Sequence, residues 1–532
     1  MARDPKDTRF AELKDEISQL KEENHTLRDD LKEANKKSKL LQEQVDYLSK
    51  KLYGTSSEKI VVPTDQFNLF DEAEVECNPE EIEEYKTTLV QEHTRKQKIT
   101  HEEKFKDLKV NKIIVDLPEE EKNCPVCGEE MEKIGETLLR REVVFVPARC
   151  EINEYYGVSY GCPKCKEGIG DTESAVIVKS KAKPALIEKS YASPSVVSMV
   201  MYQKFGNGMP LARQEKDWKQ YGLELSRTTM ANWIIYCAER YLKPLYDRLH
   251  ALQLQREFLM ADETRIQVLH EPGRRAETDS FMWVYRTGED GLKPIVTYEY
   301  TETRNGENAA KYLEGFQGYL ETDGYAGYNK VDGIIRCSCW AHIRRYFVDA
   351  IPKGKQYDMK QPAVQGVSYC DRLFRKEKAI DAKCGNDYEK RKELRLKEEK
   401  EILEAFWSWA EKQVPIKGSR LDKAITYALN RKETAMNYLK DGRCSFSNNL
   451  SENAVRPFAV GRKNWLFSTS QKGAQSSAIV YTIVEMARMH DLVIHDYLNY
   501  LLEQRPDKSW SADELDRLLP WSEEVQQLKN GR

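Results

Sequence analysis

No run in this 532-residue chain approaches the roughly 18 consecutive apolar residues that a membrane-spanning helix needs. The opening MARDPKDTRF has none of the pattern of a secretory signal peptide. The expectation is a protein of the cytoplasm. A surplus of positive charge is also missing: 84 Lys and Arg stand against 88 Asp and Glu, a net charge of -4, which as an average argues against a nucleic-acid partner. The deficit is local, however. Residues 71–84, DEAEVECNPEEIEE, hold eight acids and no base, and setting them aside reverses the sign of the balance. The 12 cysteines do not form the dense framework of a short secreted domain, so closely paired ones point to metal rather than to disulfides.

What is present suits a multidomain protein. Charged residues make up 32 %, mean hydropathy is -0.72, and 40 % of residues are hydrophobic, enough for real cores beside polar, extended parts. Residues 1–54 carry a heptad seam, with Leu13, Leu20, Leu27, Ala34, Leu41 and Leu48 at one position and Ile17, Asn24, Leu31, Ser38, Val45 and Leu52 at the other. That spacing predicts a coiled coil, and a lone Asn at a seam position favours two parallel strands in register, hence a homodimer or higher oligomer. An amphipathic helix folding back on its own chain is the alternative. Residues 55–115 read as an acidic and charged linker, or as a DNA mimic.

Residues 116–178 contain Cys124-Pro-Val-Cys127 and Cys162-Pro-Lys-Cys165, separated by 34 residues that include a hairpin-like stretch. Two such knuckles supply four thiolates, a closed tetrahedral set for one structural Zn²⁺ with no position left for water. Residues 179–250 read as helices. Two of them, LARQEKDWKQYG and a segment capped by Ser226, are joined by a turn at Gly222. This fits a helix-turn-helix that would aim Arg227, Thr228 and Asn232 at DNA, and equally a structural helix bundle.

From residue 251 to 480 the pattern is α/β. REFLMADETRIQVL reads as a strand ending near Asp262; SFMWVYR and PIVTYEY form a hairpin, ENAAKYLEGF a helix, and GYLETDGY a strand that ends at Asp323. That order is the order of a ribonuclease-H-like sheet. Two aspartates converging at strand ends repel unless a hard divalent cation lies between them, and two Mg²⁺ (or Mn²⁺) ions suit phosphodiester displacement. Residues 445–468, SFSNNLSENAVRPFAVGRKNWLFS, hold a single acid, Glu452, on a helix for which Ser447 is the expected cap. Glu452 would complete the cation cage, Arg456, Arg462 and Lys463 would neutralise phosphates, and Trp465 would offer a stacking face. About 355–440 read as a helical insertion in this catalytic domain, and 481–532 as a helical tail.

Several stretches together carry a resemblance: KLYGTSSEK, the paired CxxC region, SPSVVSMVMYQKFGNGMPLARQEKDW, MADET, LETDGYAGYN, CWAHIRRYF, SNNLSENAVRPFAVGRKNWLFS and HDYLNYLLEQRP. In these the chain resembles transposases of the insertion-sequence-66 family, bacterial DDE transposases. The resemblance implies a nucleoid-associated enzyme that binds inverted repeats and performs metal-dependent strand cleavage and transfer. Its catalytic acids would be Asp262, Asp323 and Glu452, and its partners transposon ends, target DNA and small helper proteins of the same element. Many relatives have Asp at the position of Ser447. Within CWAH, Cys339 and His342 form a CxxH pair that reads as positioning near the scissile phosphate, as a metal site or as packing, with Arg344 and Arg345 beside it on the DNA side. A silent DNA-binding regulator and a nuclease without strand transfer are the alternative functions.

Overall fold

The structure, a computed structural model, describes residues 150–161, 177–180 and 183–529. The heptad, the acidic segment and all four knuckle cysteines lie outside these residues. At the start of the described part, β1 (Ser159–Gly161) and β2 (Ile177–Lys179) make a two-stranded antiparallel ribbon.

Four helices follow: α1 (Pro194–Met201), α2 (Leu211–Gln220), α3 (Arg227–Cys237) and α4 (Lys243–Leu254). Their starts follow from local chemistry. The Ser193 and Ser226 hydroxyls accept N–H bonds from Val196 and Thr229, satisfying donors that a helix start leaves open, and proline occupies the first turn of α1 and α4. One π-helical turn, Tyr202–Gly206, extends α1, and another, Ala238–Leu242, joins α3 to α4.

The centre is a mixed six-stranded sheet built from β3 (Phe258–His270), β4 (Asp279–Thr287), β5 (Val296–Thr301), β6 (Gly318–Thr322), β7 (Ile334–Ser338) and β8 (Phe467–Ser470). The order is β5-β4-β3-β6-β7, antiparallel from β3 to β5 and parallel from β3 to β7. Helix α5 (Gly306–Tyr312) connects β5 to β6, and α6 (Trp340–Asp349) follows β7. Five helices then intervene: α7 (Pro362–Cys384), α8 (Tyr388–Glu398), α9 (Lys400–Glu411), α10 (Arg420–Leu429) and α11 (Lys432–Met436). Helix α12 (Asn449–Trp465) returns to the sheet and leads through β8 into α13 (Gln471–Met489) and α14 (Ile494–Gln504).

Two expectations change. Strand β3 does not end near Asp262 but runs eight residues further to His270, because β4 stays paired with it to Gln267 and β8 takes its other edge from Gln267 to His270. Ser447 does not cap α12. The cap position is Asn448, whose side chain makes no capping bond because it is committed elsewhere.

Strand alternation sorts the sheet into two faces. Leu259, Ala261, Trp283 and Tyr285 pack on one face with Tyr312 and Tyr328. Ile266, Val268, Met282 and Val284 pack on the other with Phe458 of α12 and with α13, in one core that also takes Val197, Trp233 and Leu245 from the first helices. A separate core joins Trp340 and Phe347 of α6 to Phe406, Trp407 and Ala424 of the intervening helices. Each fully buried Val, Leu, Ile, Met or Phe among these contributes about 1.5–3 kcal/mol. Among the described residues no helix is long and apolar enough to cross a membrane.

Candidate active site

The register of β3 and β6 pairs Ala261 with Thr322, so the next residue on each parallel strand is an aspartate, Asp262 beside Asp323. There β6 ends and the two strands part. Asp262 shares its face with Ile266 and Val268, the face against which α12 lies, and Glu452 sits in the first turn of α12. Burial, then the Glu263 carboxylate, push the Asp262 carboxyl up to about 8; the Glu263 N–H acts against them, while Asp323 and Glu452 add to the rise. Three acids from β3, β6 and α12 thus meet at one rim of the sheet.

Asp323 is held by its own turn. The Tyr325 N–H donates to Oδ1 at 2.8 Å, and Arg304 lies 3.8 Å from Oδ2. Glu452 faces two residues of α6: His342 Nδ1 is 3.6 Å from Oε1, and Arg345 donates to Oε2 at 3.4 Å. Among the described residues neither Glu452 Oε1 nor His342 Nδ1 has a hydrogen-bond partner, although both atoms are buried. Burial pulls the His342 imidazole below its ordinary range, against the Glu452 carboxylate, and so favours the neutral ring. Cys339, His342 and Glu452 present ligand-type atoms within 4.8 Å of one another, a group that can hold a metal ion. The Cys339 thiol, pushed up to about 12 chiefly by burial, instead accepts the Asn448 N–H at 3.1 Å.

Asn448 escaped the sequence reading. It is fully buried, its side-chain amide donates to Ala261 O at 3.0 Å, its main-chain N–H meets Cys339, and its carbonyl accepts the Glu452 N–H at 3.1 Å. One residue therefore ties the strand of Asp262, the start of the helix of His342 and the helix of Glu452. Neither Ala261 nor Cys339 is near in sequence, so only the shortage of other roles for a buried polar residue could have flagged it.

The remaining expected residues divide. Arg345 and, one turn along α12, Arg456 are exposed beside Glu452, Lys463 is exposed near the far end of α12, and Arg462 lines an open cleft of about 270 Å³ with Glu263, Thr264, Arg265, Phe281 and Arg304. Arg344 is ion-paired at 2.6 Å with Asp371, which fastens α6 to α7. The Trp465 ring is half-buried against Phe458, and Lys204 lies over it, 5.0 Å from its centre, so much of its stacking surface is occupied. Arg227, Thr228 and Asn232 are exposed along α3, whose other side supplies Met230, Trp233 and Ile234 to the core.

Comparison with known proteins gives this geometry a family. Residues 189–476 match the model described as Transposase IS66 family, residues 121–166 the zinc-finger binding domain of transposase IS66, and residues 40–113 the Transposase C of IS166 homeodomain. Three curated relatives come from Sinorhizobium fredii (strain NBRC 101917 / NGR234). Uncharacterized protein y4qI is 31 % identical over 362 residues, an alignment that spans 65 % of each chain, just under two thirds. Uncharacterized protein y4hP is 27 % identical over 90 % of this chain and 88 % of its own, and uncharacterized protein y4jD 26 % identical over 77 % and 80 %. With a DDE-type domain matched over more than half of its length and the zinc-finger and amino-terminal regions matched ahead of it, the chain belongs to the IS66 family of transposases.

Proposed function

We propose that the chain cuts DNA at the ends of its insertion element and joins those ends to target DNA, with Asp262, Asp323 and Glu452 as the catalytic acids of a ribonuclease-H-like domain. The observation that carries the reading is the convergence on Asp262, a partly buried carboxyl whose rise the Asp323 and Glu452 carboxylates both add to. The strand order, with three antiparallel strands continuing into two parallel ones, supports the ribonuclease-H-like assignment.

Three carboxylates, one of them bearing the orphaned Glu452 Oε1, make a hard donor set that fits Mg²⁺ or Mn²⁺, held by Asp262, Asp323 and Glu452. When bound, a pair of such ions supplies a nucleophile at neutral pH and neutralises the charge that builds on the phosphate. The chain's own residues do the positioning. Asn448 fixes Glu452 against the strand of Asp262, His342 faces Glu452 from α6, and Arg345, Arg456, Arg462 and Lys463 offset phosphate charge.

The same reading assigns one structural Zn²⁺ to Cys124, Cys127, Cys162 and Cys165, all inside the matched zinc-finger region. It gives recognition of the inverted repeats to the helix-turn-helix of α2 and α3 through Arg227, Thr228 and Asn232, and pairing of copies to the amino-terminal heptads, with helper proteins of the element as further partners. The matched amino-terminal model supports association of copies. Pre-cut element ends, target plasmid and Mg²⁺ test the proposal: joined product is expected, whereas a regulator only binds and a nuclease only cuts. Cleavage that survived in Asp262→Ala, Asp323→Ala and Glu452→Ala alike would overturn the assignment.

A further inference from the structure

We infer that Tyr346, stacked on Tyr427 and Arg431 beside the acidic rim, is a platform that holds one unpaired base of the DNA substrate; this rests on the function proposed above. Tyr346 lies on α6 one turn beyond His342 and next to Arg345, so it projects from the helix face that meets Glu452. Its ring centre is 4.0 Å from that of Tyr427, with 18° between the planes. The Arg431 guanidinium carbon is 3.7 Å from the same Tyr427 centre. Two groups so close to the middle of one ring cannot share a face. Tyr427 is therefore sandwiched, and the layers run Arg431, Tyr427, Tyr346.

The inner end of this stack is fixed to the catalytic rim. Arg431 Nη2 donates to the carbonyl of Gly324 at 2.6 Å, and Gly324 directly follows Asp323. A Cβ at residue 324 would lie 2.4 Å from Arg431 Nη2 and 2.6 Å from Tyr427 atoms, so glycine is needed there for space. The outer end is open. Tyr346 is 38 % exposed and, among the described residues, its only ring contact is Tyr427, whereas its neighbour Phe347 is fully buried.

A lone exposed tyrosine would need no explanation. A three-layer stack backed by a cation, bolted beside one catalytic acid and facing the helix of another, is a built surface. The bases of an intact duplex have no free face, so its ligand is a base that has left the stack, its phosphates meeting exposed Arg345.

The test uses the full chain without added Mg²⁺ and two DNAs carrying the element's terminal repeat. One is a blunt duplex; the other bears a short single-stranded tail containing 2-aminopurine. Wild type is expected to bind the tailed DNA more tightly and to quench the 2-aminopurine. Tyr346→Ala should lose the quench and weaken tailed binding by about 5- to 150-fold relative to the blunt reference, while Tyr346→Phe and Tyr346→Trp retain both. The inference is overturned if wild type binds both DNAs equally without quenching, if quench and preference survive Tyr346→Ala, or if Tyr346→Phe fails like Ala. Wild type binding neither DNA would sink the proposed function itself, and this platform with it.

Discussion

Asp262 and Glu263 are chain neighbours on one strand, both partly buried, and they meet opposite fates. Alternation sends Glu263 to the face of Tyr328, whose hydroxyl donates to it at 2.7 Å, and Arg304 completes an ion pair with it. Asp262 on the other face accepts the Glu263 N–H at 2.9 Å and looks toward two further acids. Burial raises both carboxyls; at Glu263 the Tyr328 hydroxyl and Arg304 oppose the rise, whereas at Asp262 the chief opposition is the Glu263 N–H. The difference separates a carboxylate whose charge is answered inside the protein from one whose charge waits for something from outside. Sequence adjacency hides that distinction, and the pleat of the strand creates it.

The largest effect that would sharpen this contrast is on chemistry. Asp262→Asn, Asp323→Asn or Glu452→Gln should each lower strand joining by about 10³-fold or more with the fold retained, read by product formation beside circular dichroism. Next, Asn448→Ala should lower the joining rate by about 10- to 100-fold, as loss of a support behind a ligating group does, and a rate within twofold of wild type would break the link drawn between α12 and β3. Glu263→Gln should invert the pattern. It strands Arg304 and Tyr328 and lowers stability by about 1–2 kcal/mol, discounted because Arg304 is partly exposed, yet it should leave joining within about tenfold. Equal losses of joining in Glu263→Gln and Asp262→Asn would erase the distinction.

Added Mg²⁺ gives a smaller signal: the thermal midpoint of wild type should rise with concentration and that of Asp262→Asn should not, since only a species that binds the native state stabilises it. The smallest concerns Glu399, a buried acid away from the rim, pushed up to about 8 chiefly by burial and also by Glu377, against the hydroxyl of Tyr438 at 2.7 Å. Its raised value means that between pH 4.5 and about 8 the native state keeps a proton the unfolded chain has lost. Stability should therefore fall as pH rises through that window, and Glu399→Gln should flatten the slope of the melting temperature against pH.

The strands and helices of the sheet region were legible because period-two alternation and turn residues mark them; β4, β5 and β6 fall where SFMWVYR, PIVTYEY and GYLET stand. The length of β3 was not, since its continuation depends on β8, a four-residue strand about 200 positions away that has little signal of its own. The three acids could be singled out from strand ends and from one odd carboxylate in a basic segment. Asn448 could not, because its bonds span 187 and 109 residues. Arg344 and Trp465 looked like DNA contacts by residue type alone, and what each touches, Asp371 and Lys204, is decided by helices that fold in from elsewhere.

Helix α12 is anchored to β3 twice, by Asn448 to Ala261 at its start and by β8 to residues 267–270 just past its end. Between the anchors it contains Pro457, four residues past exposed Asn453, and it closes on Leu466 at a positive φ of +62°. Such a beam fixed at both ends has no slack in length. Inserting or deleting one residue between 453 and 465 would swing one anchor by about 100° around the helix axis relative to the other, so chain-length variation should be excluded from this segment and tolerated in loops among α7 to α11. The spacing from Glu452 to Phe467 is in that sense a ruler, and related chains can be aligned on its length even where their residues differ.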